Sequence, residues 1–152
     1  MNRYDARQLA FELLFASTYF SEETEDGVGL YDKERRLRGF EENEYVRDLL
    51  TGVADHRDEL DALIAENAKG WRIGRISRTA LSILRLSVYE MLYRTDVPYN
   101  VSINEAVELA KKYGEDSTSR FVNGILNTIA EKKGLKSAAP PQNAPEAKEQ
   151  PQ

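Results

Sequence analysis

Little in this sequence could do covalent chemistry. It has no cysteine, which removes thiolate nucleophiles, thiolate metal sites and disulfides. His56 is the only histidine, and with no second ligand at metal spacing it reads as a surface or capping residue. No Ser-His-Asp set, glycine-rich phosphate loop or H-E-x-x-H motif occurs, and no carboxylate pair is singled out by its surroundings. The chain therefore reads as a non-enzyme with no metal or cofactor. What remains is cations and aromatic rings. Arg3 and Arg7, spaced by four, project from one side of an N-terminal helix, and by themselves they read as solvated arginines. Arg120 and Phe121 sit side by side in the first turns of the last helix, next to Asn123 and Gly124. Phe121 lies beside the fuller apolar stripe Val122, Leu126 and Ile129, so periodicity leaves it open between a core ring and a partly exposed one.

The elements that position these residues read as helices throughout. Residues 3–20 give one helix with two apolar stripes, one through Ala6, Leu9, Ala10 and Leu13, the other Phe11, Phe15 and Tyr19. Residues 42–68 are helical with a break near Asp55–His56, and Tyr31 to Leu37 suggest a short helical turn. Residues 77–94 carry an apolar surface broad enough for a central helix, with Ser77 as its cap. Pro98 biases Val97 to an extended conformation. Ser102 and Glu105 have capping-box spacing, which starts the next helix at Ile103. Gly114 reads as its left-handed end, and Asp116 or Ser117 as the cap of the last helix. Trp71, between Gly70 and Gly74, reads as a core anchor. The fold class is all-α, with six or seven helices.

A length of 152 residues suits one domain, and 41% hydrophobic with 31% charged residues suits a globular surface. No apolar run reaches the length of a membrane helix, no signal-peptide pattern opens the chain, and the absence of cysteine fits a cytoplasmic protein. The net charge is −5, but residues 21–44 alone hold nine acids and four bases. The body outside that segment and the tail holds sixteen bases and fifteen acids, so any nucleic-acid footprint should be small or shared with a partner. Residues 137–152 are rich in proline and glutamine with almost no bulky apolar residue, and read as a disordered tail behind a 1–136 helical domain.

The run from Asp96 to Leu126, D-V-P-Y-N-V-S-I-N-E-A-V-E-L-A-K-K-Y-G through F-V-N-G-I-L, resembles the NusB family of bacterial transcription antitermination factors, gap-free and with almost no departure. Arg3, Ala6, Arg7, Ala10, Leu14 and Phe15 keep the outline of that family's arginine-rich first helix, with Asp5 as a departure that lowers local charge. The run from Arg78 to Tyr93 is similar to the family's L-R-L-A-x-Y-E-L region, although Ala80 and Leu81 stand where many relatives carry Asp-Arg. The resemblance is strong over 96–126, moderate over 3–15 and 75–93, and slight over 20–44. It implies two small helical bundles, residues 3–68 and 75–133, packed as one domain. It also implies a partner, the ribosomal protein NusE. The pair would bind boxA RNA of nascent ribosomal transcripts, and their complex would help RNA polymerase read through terminators. By the same resemblance Arg3, Arg7 and Arg120 would contact phosphates, Phe121 would stack on a base, and Glu90 and Tyr93 would lie toward NusE. A helical module that binds protein only stays open, as does a homodimer through the broad apolar face. Ribosomal-RNA cytosine methyltransferases can carry such a domain, but this chain lacks both the length and the cysteine for that activity.

Overall fold

The computed structural model describes residues 1–20, 26–70 and 72–137. Within them are seven α-helices and no strand: α1 (Arg3–Ser17), α2 (Gly27–Arg38), α3 (Glu44–Asp55), α4 (Arg57–Asn67), α5 (Arg78–Tyr93), α6 (Tyr99–Tyr113) and α7 (Asp116–Lys132). Two 3-10 turns, Ile73–Arg75 and Leu135–Ser137, precede α5 and follow α7. Trp71 and the tail beyond Ser137 lie outside the described residues.

Helix α5 organises the fold. Every residue from Ser82 to Met91 is buried, the pattern of a helix enclosed on all sides. It packs on α1, α3, α4, α6 and α7, and one apolar core runs continuously from Ala6 to Ala130. Three of its polar side chains reach different neighbours. Arg85 donates to both oxygens of Asp61 on α4 at 2.8 and 2.9 Å. The Tyr89 hydroxyl donates to Asp48 on α3 at 2.8 Å. Glu90 accepts from Arg7 on α1 and from Ser102 on α6. Buried polar groups must be paired, so these bonds fix which face of α5 each helix meets. The Tyr89 ring also explains Gly52: a Cβ there would lie 2.0 Å from a ring carbon.

Helix α1 stops at Ser17, short of the expected residue 20, and helix ends differ from expectation in four further places. Helix α6 begins at Tyr99, one turn before Ile103, with extended Pro98 as its N-cap and the Pro98 carbonyl accepting from Val101 and Ser102. Ser102 is therefore inside the helix and buried, and its hydroxyl goes to Glu90 instead of a helix end. The capping-box spacing misled because Pro98 had already set the preceding backbone. Gly114 is extended (φ −105°, ψ −169°), not left-handed, and a Cβ on it would meet Thr118 at 2.7 Å. Glu115, rather than Asp116 or Ser117, caps α7 in a reciprocal box with Thr118. Helix α2 is a full 12 residues, capped by Asp26 and closed by left-handed Gly39 (φ 73°). Ser77 caps α5 as expected, accepting from the Ala80 N–H at 3.1 Å.

Candidate nucleic-acid interface

Helices α1 and α5 run antiparallel: Arg7 meets Glu90 near one end, and Tyr19 meets Arg78 near the other. The two ends of α5, Ser77 and Glu90, are about 20 Å apart at 1.5 Å per residue. The expected site residues divide between them.

At the C-terminal end of α5, Arg7 is only 5% exposed and Glu90 3%. The Arg7 Nε donates to both Glu90 oxygens at 3.2 and 2.9 Å, and Glu105 lies 3.7 Å from its Nη1. The Ser102 hydroxyl donates to Glu90 at 2.7 Å. This is an enclosed ion pair tying α1, α5 and α6 together. The geometry corrects two expectations, because Arg7 is not presented to a phosphate and Glu90 is not on a partner-facing surface. Arg3 is half-exposed, donates to Asp96 at 3.1 Å and lies 4.0 Å over the Tyr45 ring. Arg94 also holds Asp96, at 3.0 Å, and stands 4.7 Å from the same ring. Burial pushes the Asp96 carboxyl up, but the hydrogen bonds from Arg3 and Arg94 outweigh it and hold the group below the usual carboxylate range. Tyr93 is exposed, donates to Glu59 at 2.5 Å, and packs at a tilt on His56 with ring centroids 4.2 Å apart.

At the N-terminal end of α5 the structure brings together a cleft of about 480 Å³. Arg75, Ser77 and Thr79 line one side, and Tyr113, Thr118 and Phe121 the other. Helix α7 positions Phe121 on the side of its apolar stripe, half-buried against the core, and leaves Arg120 exposed beside it. A ladder of rings runs from Tyr113 on α6 along α1 to Tyr19, just past its end. Tyr113 packs on Phe11 at 4.7 Å, Phe11 on Phe15 at 5.9 Å, and Phe15 on Tyr19 at 5.6 Å. Tyr113 donates to Glu12, and burial together with that carboxylate pushes its hydroxyl far above the usual tyrosine range.

The NusB family profile matches residues 4–131, nearly all of the described chain. The chain belongs to the NusB family. It is 42% identical to the transcription antitermination protein NusB of Geobacter sulfurreducens, over 82% of this chain and 90% of that protein. It is likewise 42% identical to that of Carboxydothermus hydrogenoformans, over 86% and 94%. Among solved structures it is similar to T. maritima NusB, with a TM-score of 0.80, 29% identity and coverage of 91% and 99%. It is also similar to a chain in the structure of antitermination factors NusB and NusE in complex with dsRNA, with a TM-score of 0.73, 26% identity and coverage of 87% and 99%.

Sequence reasoning missed Tyr113, Thr118 and Arg75 as neighbours of Phe121. Tyr113 and Thr118 carry no signal of their own, since only the turn between α6 and α7 folds them onto the cleft. Arg75 does carry one. From Asn67 to Tyr89 this NusB-family chain has Lys69, Arg72, Arg75, Arg78 and Arg85 and no acid.

Proposed function

We propose that this chain is a transcription antitermination factor that binds boxA RNA of nascent ribosomal transcripts together with NusE, within an RNA polymerase complex in the cytoplasm. The observation that carries the RNA reading is the cleft at Phe121. A half-buried ring with an exposed arginine beside it offers a base a stacking face and its phosphate a cation. Arg120 and Phe121 are its principal contacts. Arg3 is a weaker one at the far end of α5, since Asp96 offsets its pull on a phosphate. Arg7 and Glu90 act inside the protein, joining the helices that carry those contacts. Tyr93 stays on the outer face of α5, available to the NusE surface. None of these residues forms a nucleophile–base pair, and the role requires no catalysis.

The deciding measurement is fluorescence anisotropy of a labelled boxA RNA with this protein, with and without NusE. Binding that tightens when NusE is added supports the reading. Absence of binding under both conditions overturns it and leaves a protein-only module, the reading favoured by the ion pairing of both N-terminal arginines.

A further inference from the structure

The segment R-I-G-R-I-S-R, Arg72 to Arg78, holds three arginines and no acid in a chain of net −5. Its isoleucines face inward: Ile76 is buried and Ile73 packs against the core. Its arginines face outward, and Arg72, Arg75 and Arg78 are all exposed. The three arginines sit on three different local backbones: Arg72 is extended, Arg75 closes the 3-10 turn Ile73–Arg75, and Arg78 opens α5 after extended Ile76 and Ser77. Among the described residues no carboxylate pairs with any of the three. By contrast Arg47, Arg57, Arg85 and Arg94 each hold an acid within 4 Å. Two of the outward arginines are already placed against the cleft. Arg75 lines it directly, and Arg78 follows the lining residue Ser77 and stands 4.3 Å over the ring of Tyr19, which is 62% exposed.

We propose that Arg72, Arg75 and Arg78 form a phosphate-binding strip that carries the backbone of single-stranded RNA past the rim of the Phe121 cleft. The inference rests on the RNA-binding reading of that cleft and adds residues the sequence did not single out. A strand with one base on Phe121 must run its phosphates along one side of the cleft. The Arg75 side supplies uncompensated guanidinium groups, which suit phosphate geometry better than point charges do. The exposed Tyr19 ring beside Arg78 gives a neighbouring base a second stacking face. The strip also gives an acidic protein a local cation surface for a polyanion: nine acids concentrate in 21–44, and the one carboxylate lining the cleft, Glu115, comes from the α7 cap and not from the arginine segment.

The test is the salt dependence of affinity for a single-stranded boxA RNA, measured by anisotropy for the wild type and for the Arg72→Gln, Arg75→Gln, Arg78→Gln triple variant. Each lost phosphate contact lowers the slope of log affinity against log salt by about 0.7. The triple variant should therefore lose about 2 in slope, with an unchanged melting temperature because the side chains are exposed. A triple lysine variant, which keeps the charge, should retain the slope. If the triple glutamine variant does not fold, the three single variants carry the test at about 0.7 each. A wild type that binds with an unchanged slope in the glutamine variants overturns the strip and leaves the Phe121 reading standing. A wild type that binds no RNA, alone or with NusE, overturns both.

Discussion

The two ends of α5 hold similar numbers of arginines and use them oppositely. At the C-terminal end Arg3, Arg7 and Arg94 surround Tyr45, and each is matched by a carboxylate from another helix or loop. At the N-terminal end Arg72, Arg75, Arg78 and Arg120 are exposed, and among the described residues no acid pairs with them. The first arrangement is internal scaffolding, since each of its cations is neutralised by a carboxylate within the fold. The second leaves positive potential for a ligand. Availability of charge is thus decided by pairing and burial rather than by the number of cations on an element.

The largest test of that contrast is Arg7→Ala. It leaves Glu90 as an uncompensated charge at 3% exposure, so stability should fall by about 3–5 kcal/mol, measured as ΔG from urea unfolding. Replacing both partners, Arg7→Met with Glu90→Leu, should cost much less, because no charge is then stranded. An Arg7→Ala protein of near wild-type stability and reduced RNA salt slope would place Arg7 with the ligand-facing arginines and erase the distinction. Ser102→Ala comes next. It removes a bond to a buried carboxylate, for which about 1.5–3 kcal/mol is expected, against about 1 kcal/mol for a lost helix cap. A double-mutant cycle with Glu90→Gln should show strong non-additivity. Independent effects would return Ser102 to a local role at the start of α6.

At the other end of α5 the readout should be RNA rather than stability. Phe121→Ala should stay folded and keep NusE binding. It should weaken boxA RNA at least fivefold, the low end of the about 1–3 kcal/mol that a stacked base contributes. Unfolding and anisotropy on one preparation decide it. A stability loss of about 3–5 kcal/mol, as for a fully buried ring, would make Phe121 a core residue. Arg3→Ala should lower the salt slope by less than the roughly 0.7 of a full phosphate contact, since Asp96 already competes for it. A loss equal to that of Arg75→Gln would make the two ends alike.

Helix number, the central place of α5 and the break at His56 were legible because they depend on apolar period and local stops, which neighbours in sequence encode. The caps of α6 and α7 were not, because two motifs competed and the backbone set by Pro98 and Glu115 won. The fate of Arg7 was also hidden. Its spacing from Arg3 describes an exposed helix edge, and only the antiparallel packing of α1 on α5 brings Glu90 to it, 83 positions away. The Arg72–Arg78 strip was open to sequence reading as an acid-free interval, but charge summed over the whole body averages it away.

The smallest expected effect lies in the acid limb of stability. The Asp96 pKa is lowered in the folded protein, so its ion pairs with Arg3 and Arg94 stabilise the fold above the ordinary aspartate pKa. That contribution is lost as pH falls through the depressed value. The carboxylate side chain is 45% exposed, so solvent screening limits the contribution to the surface-pair scale of about 0.2–1 kcal/mol. Asp96→Asn should therefore lower the urea midpoint slightly at pH 7, and the gap between variant and wild type should close as pH drops below about 4. High salt at pH 7 should narrow the same gap. A gap that widened toward acid pH would mean that Asp96 is stabilised in its neutral form. The C-terminal end of α5 would then lack the charge compensation that separates it from the cleft end.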